Sequence, residues 1–351
     1  MKEILGINYY FSSEDYCDKI FSHLRRGEPV AEFVQSFKHW IESRYDVEVH
    51  TLDCVSPAAP EVRAVLYFDY SWRYARHDKY LETIPFQKRA LMMIEPQNIN
   101  PSLYYTSFYR KRFGTVFTWD KKLLQRNPHY KPVNVPVGAE PSTYRENHFR
   151  DVTFDSKRML VAISRNRWSY MPQSTYGIRK KAYAYFEEHF PDHFDLYGQS
   201  WNSPVIFYEK WFGFPKFKCF KGEVPGGWDD KVRLMANYKF AFCFENNANQ
   251  PGYISEKITD CFCARCVPIY YGSDGVEELI PRTCWIDARQ FKHYGDMADF
   301  LFQMSKEQYA QYIDAIENFM RSSTLEFFST EHYFRTLAEG LGLQRKKAIG
   351  G

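Results

Sequence analysis

Tyr238-Lys239-Phe240-Ala241-Phe242-Cys243-Phe244-Glu245-Asn246-Asn247, a loop to Gly252, and then Tyr253-Ile254-Ser255-Glu256-Lys257-Ile258 form the stretch from which the fold can be read outward. The run up to Phe244 is almost wholly apolar, as expected of a strand covered on both faces, and such strands belong to parallel sheets flanked by helices. It ends in Glu245-Asn246. A helix begins near Ser255, runs to about Arg265 and feeds a second strand, Val267 to Gly272. Carboxylate, amide and ammonium thus converge beyond the end of a strand. A diphosphate is well served by a helix N-terminus plus a lysine, and a ribose diol by a carboxylate that accepts two hydrogen bonds. The same letters also fit a plain helix cap, with Ser255-Glu256 closing the first turn and Lys257 solvated.

The same grammar continues on both sides. Met159 to Ser164 and Phe194 to Gly198 read as strands, Gly177 to Phe190 and Asp229 to Asn237 as helices; a short helix, Gly275 to Leu279, precedes a strand Cys284 to Ala288 and a helical tail. In the first half, Ile4 to Phe11, Val47 to Leu52, Ala64 to Phe68, Ala90 to Glu95 and Thr115 to Trp119 read as strands. Ser12 is an N-cap for a helix carrying Tyr16, Ile20 and Leu24, and Val30, Phe33, Val34, Phe37, Trp40 and Ile41 recur at helical spacing. Asn127 to Ser142, with Pro128, Pro132, Pro136 and Pro141, reads as an interdomain connector. The 351 residues therefore divide into two doubly wound α/β domains, 1–150 and 151–351 with C-terminal helices, facing a central cleft. Ligands of open parallel sheets bind beyond the carboxyl ends of the strands.

Composition narrows the function. With 44% apolar and 25% charged residues the chain is a packed globular protein, and 46 Lys+Arg against 43 Asp+Glu is too even for nucleic-acid binding read from net charge. Apolar runs such as Met159 to Ile163 fall far short of the ~18 to 20 residues needed to cross a bilayer. The N-terminus reads as a strand rather than a signal peptide, eight cysteines are too few for a disulfide scaffold, and the expected compartment is the cytoplasm. The basic tail Arg345-Lys346-Lys347 allows at most peripheral contact with the inner face of a membrane. Cys261-x-Cys263-x-x-Cys266 lacks a fourth ligand at zinc spacing and reads as packing, so no metal is expected. No GxxxxGK[ST], GxGxxG after the first strand, HExxH or GxSxG occurs.

Tyr238-Lys239-Phe240, Phe244-Glu245-Asn246, Tyr253-Ile254-Ser255-Glu256-Lys257 and Val267-Pro268-Ile269-Tyr270-Tyr271-Gly272 together resemble the signature of the α-1,3/α-1,4-fucosyltransferases of glycosyltransferase family ten. Upstream, Val161-Ala162-Ile163-Ser164 with Tyr176-Gly177-Ile178-Arg179, and Asp195-Leu196-Tyr197-Gly198, are similar to further family segments, although Arg165 here precedes Asn166. The resemblance implies a GT-B fold: two Rossmann-like domains, the first binding acceptor and the second GDP-fucose. It implies that Glu256 holds the ribose, that Lys257 and Arg179 neutralise the diphosphate, and that Asn246 and Tyr253 line the donor pocket. Fixed cations there would stabilise charge growing on the β-phosphate without a cofactor or a metal.

The first domain matches more thinly. Met93-Ile94-Glu95-Pro96 is similar to the family's strand ending in Glu before Pro, which makes Glu95 the expected catalytic base, with Asp69 and Asp78 in reserve; the alternative is a surface Glu before a turn. Phe108-Tyr109-Arg110-Lys111-Arg112 resembles a family segment but reads equally as a solvated basic face. Tyr9, Tyr10, Phe11, Tyr70 and Trp72 could stack on an acceptor sugar or fill the core. The expectation is an inverting transfer of L-fucose from GDP-fucose to a glycan hydroxyl, α-1,3 to GlcNAc of a galactose-GlcNAc unit on an oligosaccharide or glycoconjugate. Alternatives are a GT-B enzyme using another nucleotide sugar and a catalytically idle glycan-binding protein.

Overall fold

The computed structural model describes residues 2–8, 17–22, 29–104, 106–134, 149–206, 211 and 216–346. They form two compact units, Met1–Val135 with Thr330–Gly351, and Pro136–Ser329. Tyr9, Tyr10, Phe11, Ser12, Tyr16 and Leu24, along with residues 135–142 of the proline-rich connector, lie outside the described residues.

The first unit is built on a six-stranded sheet, β1 (Glu3–Asn8), β2 (Val47–Thr51), β3 (Val62–Phe68), β4 (Arg89–Met93), β5 (Thr115–Thr118) and β6 (Lys131–Pro132), in the order β2-β1-β3-β4-β5-β6. Every pairing is parallel. Two expectations are corrected here. Lys131-Pro132, read as connector, is an edge strand paired to Phe117 and Thr118, a place where a proline without an N–H is tolerated. The helix expected to pass Ile20 does not continue through it, because Cys17 and Asp18 are left-handed (φ 58 and 59) and Ile20 sits in a single 3-10 turn, Lys19–Phe21.

Helix α1 (Pro29–Arg44) buries Val34, Phe37 and Ile41 on one stripe against this sheet. The division at residue 150 differs from what the structure shows at its far end. The last helix, which we label α10 (Thr330–Gly340), belongs to the first unit: Tyr333, Phe334, Leu337 and Ala338 share one buried face packed into the core with Phe37 and Ile41. Phe334 meets Phe37 edge-on at 5.1 Å and Trp40 at 5.8 Å. The terminal segment is then tied to α1 and its following turn, with Asp46 N donating to Gln344 O and Lys346 N to Arg44 O. The remaining first-unit helices are short: α2 (Trp72–Ala75), α3 (Thr106–Arg110) and α4 (Lys121–Arg126).

The second unit carries β7 (Arg158–Ile163), β8 (Phe194–Tyr197), β9 (Tyr238–Phe244), β10 (Val267–Tyr271) and β11 (Ile286–Asp287), ordered β11-β10-β9-β7-β8 and parallel throughout. Helix α5 (Tyr176–His189) turns Arg179, Ala182, Tyr183 and Phe186 inward and stops before Pro191. Helices α6 (Trp228–Ala236) and α7 (Glu256–Cys263) pack against β9, and α8 (Tyr294–Gln303) and α9 (Lys306–Met320) complete the unit. The chain leaves β7 for β8 on one side and returns to β9 on the other. Loops after β7 and β9 therefore diverge, and the crevice they leave is the switch point where doubly wound sheets take ligands. Among the described residues no helix is long and apolar enough to cross a membrane.

Candidate functional site

Glu245 follows the last residue of β9 and is fully buried; its own N–H donates to Tyr271 O at 2.8 Å, one step beyond the strand ladder. A carboxylate in that position must find donors, and it finds them at the start of α7. Ser255 N donates to Oε1 at 2.8 Å, Ser255 Oγ to Oε2 at 2.6 Å, and Lys257 Nζ approaches Oε2 at 3.4 Å. Gly272 makes the arrangement possible. A Cβ there would lie 2.6 Å from Glu245 Cγ and 2.5 Å from the Tyr270 hydroxyl.

Ser255 is the N-cap of α7, as one of the two sequence readings has it, and the lysine is engaged rather than solvated. Lys257 Nζ donates to Ser255 Oγ at 2.8 Å and lies 3.7 Å from Glu256 Oε1. Burial pulls its ammonium down, but Glu256 and Glu245 outweigh burial and its pKa ends above the ordinary lysine value. Burial likewise pushes the Glu256 carboxyl up, and Lys257 followed by Lys231 overcomes it, holding the group at about 2. Glu256 is thus a permanent anion, half-exposed, beside a permanent cation.

Behind them lies a pair that sequence reasoning missed. Asp260, on α7, is fully buried; Lys231 on α6 donates to its Oδ2 at 2.5 Å and Trp228 Nε1 to its Oδ1 at 2.7 Å. The only sequence signal was a cation on an otherwise amphipathic helix, which reads as a solvated face. Lys231 and Lys257 both line the narrow crevice at the switch point, together with Ser164, Tyr183 and Phe244.

Arg179 is buried on the first turn of α5. One guanidinium nitrogen donates to Phe244 O and, at 3.0 Å, to Asn246 Oδ1, while its Nε has no hydrogen-bond partner. It therefore braces the amide of Asn246. Thr175 donates its hydroxyl to Glu245 O and its N–H to Asn246 O at 3.2 Å. The 246–252 loop is stitched down by Gly252 N to Ser273 Oγ at 3.1 Å and Ser273 Oγ to Gln250 O at 3.1 Å, and Tyr253 is buried, its N–H on Gln250 O. The Asn166 side chain donates to Ser200 O at 3.0 Å, so the turn after Arg165 clamps the loop after β8. There Gly198 (φ 122) leaves no room for a side chain: a Cβ would sit 2.1 Å from Ser164 O.

A second, wider pocket of about 690 Å³ opens past the ends of β9, β10 and β11, lined by Phe244, Tyr271, Arg289, Phe291 and Tyr294, a volume in the range of small-ligand sites. The structure thus places Arg179, Asn246, Tyr253, Glu256 and Lys257 within one unit, around the carboxyl end of the central strand β9. Cys261, Cys263 and Cys266 are buried, and burial pushes the Cys266 thiol up to about 12. Among the described residues no group of three His, Cys, Asp or Glu side chains is placed to hold a metal ion.

Glu95 belongs to the first unit, two residues past β4 and half-buried. Its N–H and that of Ile94 are bound by Asp69. The other reserve acid, Asp78, is engaged locally by the Tyr70 hydroxyl at 3.2 Å and by the N–H groups of Tyr80 and Leu81. Tyr70 and Tyr109 are buried and joined, Tyr109 Oη donating to Tyr70 O at 2.8 Å; Trp72 is exposed. Arg112 lies over the Phe108 ring at 4.1 Å.

Residues 156–337 match the family described as Glycosyltransferase family 10 (fucosyltransferase) C-term, and the chain belongs to that family. The alpha-(1,3)-fucosyltransferase of Helicobacter pylori is 28% identical over 119 residues, 31% of this chain and 24% of that protein. An alpha-(1,4)-fucosyltransferase of Arabidopsis thaliana is 29% identical over 84 residues, 24% of this chain and 21% of that protein. The chain thus spans well under half the length of either relative. Among solved structures, an alpha1,3-fucosyltransferase with GDP superposes with a TM-score of 0.54 at 14% identity, covering 99% of this chain and 91% of that one. An alpha-glucosyltransferase in complex with UDP-glucose and DNA containing an abasic site gives 0.55 at 12% identity over 97% and 99%. These likenesses establish the fold, GT-B with two parallel α/β sheets.

Proposed function

We propose that the chain is an inverting fucosyltransferase that moves L-fucose from GDP-fucose to a glycan hydroxyl, α-1,3 to GlcNAc of a galactose-GlcNAc acceptor. The observation that carries this reading is the permanent Glu256–Lys257 ion pair at the N-terminus of α7, anchored by buried Glu245 at the switch point. Glu256, ionised at all physiological pH, accepts hydrogen bonds from the ribose diol. Lys257, the α7 N-terminus and Arg179 neutralise the diphosphate, and Tyr253 and Asn246, the latter held by Arg179, line the donor pocket. The acceptor oxygen attacks the anomeric carbon, and the bond from that carbon to the β-phosphate oxygen breaks with its electron pair leaving on GDP. Glu95 takes the hydroxyl proton. Attack opposite the leaving group inverts the anomeric centre. Charge growing on the diphosphate is met by fixed cations, so the proposed reaction uses neither metal nor cofactor, and the proposed setting is the cytoplasm with an oligosaccharide or glycoconjugate as partner. Support comes from the family match across the second unit and from the named activities of the two relatives.

The test is transfer from GDP-fucose to galactose-GlcNAc acceptors in chelator, with product linkage read by NMR. Glu95→Gln should abolish turnover and leave GDP binding intact. Turnover with a uridine donor alone would replace GDP-fucose in this reading, and full activity of Glu95→Gln would remove the base.

A further inference from the structure

β3 and β4 both run out at the same level: Asp69 N still donates to Met92 O at 2.7 Å, and no strand residue remains to take the next N–H groups of β4's extension. At that point the backbone of Asp69 turns left-handed, φ 55, a conformation that costs a non-glycine residue and that Asp adopts more readily than most. The turn brings its carboxylate to the sheet end. Oδ1 accepts from Ile94 N at 2.8 Å and from Glu95 N at 3.3 Å, and Oδ2 from Glu95 N at 3.2 Å. The other side of the same peptide is fixed too, because Trp119 Nε1 donates to Ile94 O at 2.9 Å, and the following turn closes with Ile99 N and Asn100 N on Pro96 O.

We propose that Asp69 is the positioning residue for Glu95, its carboxylate fixing the backbone that carries the base. The inference rests on the assignment of Glu95 as the base. Both Asp69 oxygens accept here, Oδ1 from Ile94 and Glu95 and Oδ2 from Glu95, an arrangement that a neutral amide, with one acceptor oxygen, could not reproduce. Like charges in one site disfavour ionisation of both. Burial, the largest influence, and the charge of Glu95 push the Asp69 carboxyl up to about 7, against the pull of the Ile94 and Glu95 N–H groups. Other charged groups on the flanking elements are engaged elsewhere: Asp78 with Tyr70, Asp120 capping α4 through the N–H groups of Lys122 and Leu123, and Arg112 over Phe108.

Steady-state transfer should be measured from pH 5 to 9 for the whole chain and for Asp69→Asn, Asp69→Ala and Glu95→Gln, with GDP affinity and thermal melting alongside. Asp69→Asn keeps one acceptor oxygen and loses the other, so kcat should fall about tenfold, the worth of one charge-assisted hydrogen bond, with KM for the donor unchanged. Asp69→Ala loses the cradle, and kcat should fall about a hundredfold, the scale of an ångström-level misplacement of a reacting group. Should Asp69→Ala fail to fold, the Asp69→Asn kcat decides. Wild-type kcat in Asp69→Asn, with Glu95→Gln inactive, would overturn the role of Asp69 and leave the base in place. Full activity of Glu95→Gln would overturn both.

Discussion

Lys231→Met tests the packing beneath the proposed donor site. The variant keeps the apolar stem of the side chain and deletes the ammonium that sits 2.5 Å from Asp260 Oδ2. Asp260 is fully buried and would retain the Trp228 N–H alone. Removing one member of a buried ion pair costs ~3–5 kcal/mol, because the other is left charged and uncompensated. For a unit of this size each kcal/mol moves the midpoint by roughly 2–4 °C, so a fall of roughly 10 °C is expected at pH 8. The sign of the pH dependence follows from Asp260. Burial, its largest influence, keeps its carboxyl above the ordinary value despite Lys231, so the ionised form weighs against folding as pH rises. Without Lys231 that penalty grows, and the deficit should be largest at pH 8 and shrink toward pH 5, where the neutral acid needs no cation. Thermal unfolding of the wild type, Lys231→Met, Asp260→Asn and the double variant across pH 5 to 8 measures this directly. The double variant should recover most of the loss. A deficit under about 0.5 kcal/mol at pH 8, the scale of an ordinary surface change, or one independent of pH, would refute the reasoning.

Lys257→Ala should weaken GDP binding by about ten- to a hundredfold, the worth of a charge-assisted hydrogen bond of ~1.5–3 kcal/mol, and an unchanged Kd by calorimetry would remove Lys257 from the phosphate site. Glu256 is held at about 2, below its unfolded value, so its charge is fully present above the ordinary glutamate range and is lost only as pH falls through about 2. GDP affinity should therefore show no step between pH 8 and pH 5 that Glu256→Gln abolishes; such a step would contradict the depressed value. Phe334→Ala should destabilise the first unit by ~3–5 kcal/mol in denaturant unfolding, since its ring fills the gap between Phe37 and Trp40, and a surface-sized effect would place α10 outside that core.

The strand and helix rhythm was legible because parallel sheets bury both faces of their strands: β9, β7 and β10 lie within a residue or so of where their apolar runs place them. The last helix was legible as a helix but its destination was not. Tyr333, Phe334, Leu337 and Ala338 make an apolar stripe that would suit either core, and periodicity carries no address. Lys131-Pro132 was hidden because two residues on an edge give no period, and proline argued for a loop.

At the site, the letters around Ser255-Glu256-Lys257 announced a helix start with charge; Ser255 is that cap, and Lys257, which local pattern leaves solvated, is engaged by Ser255 and Glu245. Glu245 was visible as a strand-terminal acid. That it is fully buried, and that Gly272 is what makes room for it, depends on a contact between neighbouring strands that no local pattern encodes. Lys231 and Asp260 are separated in sequence and meet only because α6 and α7 pack side by side against β9. Asp69 was noted as an acid near Glu95, but the hydrogen bonds joining them follow from strand register.

The most direct test of the central claim is thermal stabilisation in chelator by GDP, GDP-fucose, GDP-mannose, UDP-galactose and CMP-sialic acid, for the wild type and for Lys257→Ala. A ligand at about a hundred times its Kd adds ~2.7 kcal/mol to the state that binds it. The account predicts a rise in melting temperature with GDP and GDP-fucose and with neither UDP-galactose nor CMP-sialic acid, sharply reduced in Lys257→Ala. No shift with any guanine nucleotide, or an equal shift in Lys257→Ala, would contradict it.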